Sequence, residues 1–172
     1  MSERASQLVL DEEHLSHQQG RFFTATHRRE GLAVGSTEQY LFDVSSIFHP
    51  HFHLSVGGNC HVDMSTVTSY TVGGGTSLDV WCRNTIFHDV NSFSTLLFRG
   101  TSIQAGSADL WSDFVPVAGQ QDIGGHDPLV FGPGIFQLEL TNTFISPIDT
   151  SLIVTFEESD HRIKIEQYTA NF

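Results

Sequence analysis

Four histidines are the residues best spaced to do chemistry in this chain. The segment Phe48-His49-Pro50-His51-Phe52-His53-Leu54 repeats imidazole at every second position. Successive side chains of a strand point to opposite faces, so His49, His51 and His53 share one face and Phe48, Phe52 and Leu54 the other. His61 follows the turn Gly57-Gly58-Asn59, which reads as a tight hairpin. Pairing across that hairpin would bring His53 toward His61 and let several imidazoles converge. Imidazole is a good ligand for zinc, copper, iron or nickel, so His49, His51, His53 and His61 are the candidate metal ligands. The competing reading is a polar outer face or a histidine-lined subunit contact. A strand with Phe52 and Leu54 inside needs its histidines only to be outside. A histidine-lined contact would weaken in acid, because imidazoles charge near pH about 6.5 and like charges would then meet.

A His-X-His strand also opens the metal motif of the cupins. In that motif a Glu follows within a few residues and a further His lies on a later strand. Here Leu54-Ser55-Val56-Gly57-Gly58-Asn59 follows, and the first acid is Asp63. The region of Gly132-Pro133-Gly134 holds no histidine, and His126 stands at the wrong spacing. No cofactor is therefore assigned. There is no G-x-S-x-G elbow, and Gly73-Gly74-Gly75-Thr76 lacks the lysine of a phosphate loop. The acidic pairs Asp109 with Asp113 and Glu157 with Glu158 fall in loops or at strand ends, where solvated surface is expected. Trp81 and Trp111 have the shape to stack on a sugar, but large aromatics in a β-sandwich are expected in the core. The chain is not expected to be an enzyme.

The elements that must carry these residues are strands. From Gly31 onward, Gly, Ser, Thr, Asn, Asp and Pro punctuate short apolar runs, as in a sandwich or barrel. Phe136, Leu138 and Leu140 alternate with Gln137, Glu139 and Thr141, and Leu152, Val154 and Phe156 alternate with Ile153, Thr155 and Glu157. Tyr40–Val44, Phe52–Val56, Val62–Thr68, Leu78–Trp81 and Phe93–Phe98 are further expected strands. Gly106-Ser107 and Gly124-Gly125 read as loops. Fourteen phenylalanines supply bulk for the core. The expected organisation is an N-terminal arm with a short helix over 1–29, a β-sandwich domain over 30–158, and a C-terminal extension over 159–172. That extension alternates Ile163 and Ile165 against charged residues and suits a strand shared with a neighbour.

Charge excludes one class of partner. The chain carries 20 acidic and 8 basic residues, a formal net charge of −12, with Lys164 the single lysine. Binding phosphates requires basic clusters, and only Arg28-Arg29 forms one, so no nucleic-acid partner is expected. No apolar run approaches the ~18 residues that span a bilayer, so no membrane partner is expected. Met1–Gly20 has no apolar signal core, which implies synthesis in a cytoplasm. Two cysteines, Cys60 and Cys82, are too few for a disulfide framework and read as buried thiols.

The order of turns and strands resembles a family of small β-rich virion proteins of tailed phages, assigned in part as capsid cement or decoration proteins. The resemblance runs through Gly20-Arg21-Phe22-Phe23-Thr24-Ala25-Thr26-His27, Leu32-Ala33-Val34-Gly35-Ser36, Tyr40-Leu41-Phe42-Asp43-Val44 and His51-Phe52-His53-Leu54-Ser55-Val56-Gly57-Gly58. It continues through Gly75-Thr76, Arg83-Asn84-Thr85, Gly124-Gly125, Phe136-Gln137-Leu138-Glu139-Leu140-Thr141-Asn142 and Phe156-Glu157-Glu158. It covers residues 14–158, and the motifs are specific in their order rather than singly. The chain departs from the family at Asp127-Pro128-Leu129-Val130, where a Trp/Tyr-x-Leu-Lys segment is usual. Its Gly-Thr loop also lacks a proline, and it continues beyond Glu158.

The resemblance implies a jelly-roll-like β-sandwich, a homotrimer on the capsid surface of a virion, with the major capsid protein and itself as partners. Contact residues would then come from the arm (Arg21, Phe22, Arg28 and Arg29) and from the extension (Ile163, Ile165, Tyr168 and Phe172). The alternatives are a tail, fibre or baseplate β-module that binds host glycans, and a cupin-like metal-dependent enzyme.

Overall fold

The computed structural model describes residues 21–44, 49–71, 75–83, 95–100, 102–115, 120–123 and 129–159; residues 49, 102–108, 113, 114 and 159 are described by backbone alone. The expected N-terminal helix and the extension from residue 160 onward, with Ile163, Ile165, Tyr168 and Phe172, lie outside the described residues. Twelve strands follow in chain order: β1 Phe22–Leu32, β2 Thr37–Val44, β3 His49–Gly57, β4 Cys60–Thr71, β5 Thr76–Ser77 and β6 Val80–Cys82; then β7 Leu96–Arg99, β8 Ser102–Val115, β9 Gln120–Ile123, β10 Leu129–Val130, β11 Gly134–Thr141 and β12 Ile148–Ser159. The described chain is all-β.

The strands form two antiparallel sheets. Sheet A runs β10-β3-β12-β1-β6, with β9 also on β3, and sheet B runs β5-β7-β2-β11-β4-β8. Strands β9 and β10 share one edge of β3, β9 along Leu54–Gly57 and β10 at His51 and Phe52. The inward-facing residues of both sheets merge in one buried cluster that includes Phe23, Tyr40, Phe42, Phe52, Val62, Leu138, Leu152 and Phe156. Phe42 of sheet B meets Phe52 of sheet A edge-on, with ring centroids 5.5 Å apart. Each such side chain contributes about 1.5–3 kcal/mol of burial, which is what holds the two sheets face to face.

Several expectations are corrected. Gly57-Gly58-Asn59 does not close a hairpin: β3 pairs with β12, β9 and β10, whereas β4 pairs with β11 and β8. The turn carries the chain from one sheet to the other, so Phe52, Leu54 and Val56 face Val62 and Met64 across the core. The sheet also begins earlier than Gly31. Residues 22–29 belong to β1, which pairs with β12 and β6, and Phe23 and Ala25 are core residues. Their alternation with Thr24 and Thr26 is a strand pattern hidden inside a polar segment. Gly106-Ser107 lies within β8 rather than in a loop. Of the run Leu78–Trp81 only Val80 and Trp81 are strand, in β6 of sheet A, while Thr76–Ser77 just before it forms β5 of sheet B.

Trp81 is exposed rather than core, because it pairs with Thr24 on the outward side of β1. Glu157 and Glu158 are buried rather than solvated. Glu158 shares the inward parity of Phe156 and accepts hydrogen bonds from the Thr95 amide (2.9 Å) and hydroxyl (3.0 Å).

Candidate interaction surface

The histidine row forms as a row and no further. His51 Nδ1 lies 3.1 Å from Glu157 Oε1, across the β3–β12 pairing. Glu157 Oε2 is buried and has no hydrogen-bond partner among the described residues. His53 is exposed opposite Thr155, and the backbone of His49 pairs with Ser159. His61 belongs to the other sheet and does not join them. Among the described residues, no group of three His, Cys, Asp or Glu side chains is disposed to hold a metal ion.

His61 has its own neighbours. Its Nε2 lies 2.9 Å from Ser112 Oγ and 3.2 Å from Asp63 Oδ1. The three residue types are those of a nucleophile relay, but Ser and Asp address the same ring nitrogen. A relay needs the hydroxyl on one nitrogen and the acid on the other, so this is a surface polar cluster.

The contact residues expected from the arm divide. Phe22 is buried, with the Arg83 guanidinium 5.2 Å above its ring, so its face is already covered within the chain. Arg21 is half-buried, and its carbonyl accepts from the Glu158 amide. Arg28 and Arg29 are exposed but compensated. Arg28 lies 2.9 Å from Asp149 and 3.6 Å from Glu30, and Arg29 lies 3.9 Å from Glu38. The Gly31 amide first, then Arg28, hold the Asp149 carboxyl below the usual carboxylate range. Two arginines against three acids leave this end acidic, so the pair is not a basic patch.

What this end does present is apolar. The turn between β1 and β2 and the loop between β11 and β12 lie side by side. Gly35 N–H donates to the Asn142 carbonyl (2.8 Å), and Asn142 N–H donates to the Ser36 carbonyl (3.0 Å). The Asn142 side chain, fully buried, ties the two further. Its amide NH2 donates to the Leu32 carbonyl (2.8 Å) and the Ser146 carbonyl (2.9 Å), and its Oδ1 accepts from Phe144 N–H (2.8 Å).

The scaffold thus stiffened holds Val34 (53% exposed), Phe144 (44%) and Ile145 (90%) in water. Interior volume cannot explain side chains that stay outside. A shallow depression of ≈ 390 Å³ is lined by Arg28, Gly57, Gly58, Gln120, Asp149, Thr150 and Ser151, and its Asp149 accepts from the Gly31 amide ahead of the β1–β2 turn (3.0 Å). An apolar centre with a polar rim is the anatomy of a protein–protein contact. Sequence reasoning missed this tip. The available signal was Phe144-Ile145, two large apolar residues inside the turn segment Asn142–Pro147 between two alternating strands.

No family model, curated protein or solved structure matches the chain.

Proposed function

We propose that this chain is a jelly-roll subunit that binds and stabilises a tailed-phage capsid as a cement or decoration protein. It would sit on the virion surface after synthesis in the host cytoplasm. The strand order supports the jelly roll. In chain order β1, β2, β3, β4, β8, β9/β10, β11 and β12 fall in sheets A, B, A, B, B, A, B and A, and each set of four forms the body of one sheet. Two interleaved Greek keys produce that pattern. Such folds host capsid, lectin and cupin functions alike, so the function is argued from the surface and not from the fold.

The observation that carries the reading is the preorganised apolar tip of Val34, Phe144 and Ile145 on the Asn142 scaffold. A rigid tip binds with little ordering cost. A homotrimer carrying three tips onto a lattice of major capsid protein gains through effective concentration what one tip lacks in affinity. The test is co-sedimentation of the purified protein with capsid shells assembled without it. Saturable binding is expected, with Ile145→Asp reducing it at least tenfold while leaving thermal unfolding unchanged. Failure of the wild-type protein to bind shells, together with its absence from purified virions, would overturn the proposal.

A second reading rests on Trp81, exposed on the outer side of sheet A. Its indole is available to stack on a sugar ring, as in a glycan-binding tail, fibre or baseplate module. Glycan-dependent quenching of fluorescence that disappears in Trp81→Ala, with no shell binding, would favour that alternative. The cupin-like enzyme has less support, since His51 and His61 lie on different sheets.

A further inference from the structure

The two sheets part at one edge, where β8 ends sheet B and β9 with β10 end sheet A. Between them opens a hollow of ≈ 240 Å³ lined by Met64, Leu110, Trp111, Ile123, Leu129 and Phe131. Met64, Ile123 and Phe131 belong to the buried core and form its floor, while Leu110 is 52% exposed at its rim. A β-bulge builds that rim. Met64 pairs with Trp111 and Ser65 with Asp109, so Leu110 is an extra residue on β8. Strict alternation would send Leu110 and Trp111 to opposite faces, whereas the bulge turns both toward the hollow. Bulges re-aim side chains in this way beside binding sites.

Protein interiors are packed without voids much larger than a water molecule, so a hollow of this size is a feature to be explained. Apolar cavities stay dry and take up apolar guests, and one of about 150 Å³ accepts benzene. By volume this one has room for about ten carbons. Four of the six lining side chains are aliphatic or thioether, and Met64 adapts its shape to a flexible guest. None of the six is charged, so among the described residues an anionic head would find no counter-ion in the lining. The net charge of −12 opposes it further.

We propose that the hollow binds the alkyl chain of a neutral amphiphile, its tail between the sheets and its polar head in water beside Leu110. The site is independent of the capsid reading and stands or falls separately from it.

The test uses the full chain with Trp81→Phe, which leaves Trp111 as the sole tryptophan. Titration with 1-decanol is expected to shift Trp111 emission to the blue and to saturate at one molecule per chain. The Kd should be on the order of 100 µM. Decanoate at pH 8 should bind at least tenfold more weakly. Leu110→Asp should weaken decanol at least fivefold, and its exposed position spares the fold. Ile123→Phe, which fills the floor, should abolish binding if it folds. An absent or non-saturating response, equal affinity for decanoate, or indifference to Leu110→Asp would overturn the proposal. Binding of naphthalene without decanol would do so too. If decanol or Leu110→Asp instead splits an oligomer into monomers by light scattering, the hollow receives a second copy of this chain and the amphiphile site is wrong.

Discussion

Replacing Asn142 by Ala tests the scaffold beneath the apolar tip. The side chain makes three hydrogen bonds, to Leu32 O, Ser146 O and Phe144 N, and is fully buried. A typical hydrogen bond contributes about 1 kcal/mol net, and a buried group left unpaired costs about 1–3 kcal/mol. The contact to Leu32 is buried and the other two are part-buried. The lower bound of that penalty, about 1 kcal/mol, and two ordinary losses of about 1 kcal/mol each give about 3 kcal/mol. With a urea m-value of about 2 kcal/mol/M for a domain of this size, the unfolding midpoint should fall by about 1.5 M. Asn142→Asp should cost at least as much at neutral pH, because it keeps the acceptor for Phe144 but turns an oxygen toward the Leu32 and Ser146 carbonyls. The assay is urea unfolding followed by far-UV circular dichroism, with shell binding measured at concentrations where the variant is folded. Both stability and binding should fall, whereas Ile145→Asp should lower binding alone. A midpoint shift under about 0.3 M for Asn142→Ala would refute the view that this residue holds the two loops together.

Other perturbations probe the fold. Gly58 adopts φ +114°, and a Cβ there would sit 2.5 Å from the Asp149 carbonyl oxygen. Gly58→Ala should cost about 2 kcal/mol or more, whereas Gly31→Ala, at φ +61° with open space around it, should cost about 1 kcal/mol; the reverse order in denaturant unfolding would contradict the turn geometry. Burial first, then the charge of Arg99, lowers the pKa of His27, which bonds Tyr40 Oη at 2.9 Å. The unfolded chain therefore holds this proton more tightly. The contribution to stability is complete above the ordinary value of 6.5 and is lost as pH falls through 6.5 toward the lowered folded value. His27→Gln should show a smaller drop in urea midpoint between pH 7.5 and 5 than the wild type, and equal drops would reject the assignment. Burial pushes the Cys60 thiol up to about 11, and neither cysteine is part of a disulfide. Ellman's reagent at pH 8 should modify Cys82 first and reach Cys60 only on unfolding; two equally fast thiols would show the core to be open.

Much of the secondary structure was legible because its signal is local. Apolar residues at every second position of β2, β3, β4, β11 and β12 identify one buried face per strand. The strand β1 was harder to see, since Phe23 and Ala25 alternate with polar residues in a segment whose overall composition is that of an arm. The histidine row was legible on the same principle, as one face of β3. Its relation to His61 was not. A glycine turn between two amphipathic strands satisfies the apolar pattern equally well whether it closes a hairpin or crosses between sheets, because either course turns both faces inward.

Composition by itself determined the strong negative charge, and alternation determined which residues of most strands face the core. Only the tertiary structure decided which sheet each strand joins, and with it the neighbours of every outward side chain. That choice separates His61 from His51, buries Glu157 beside an imidazole, leaves Trp81 in water and neutralises Arg28 with Asp149. It also brings the Asn142 loop under Val34, and the bulge at Leu110 to the mouth of a hollow. Each of these depends on contacts between residues distant in sequence. Periodicity carries only the direction a side chain points and not what stands opposite it.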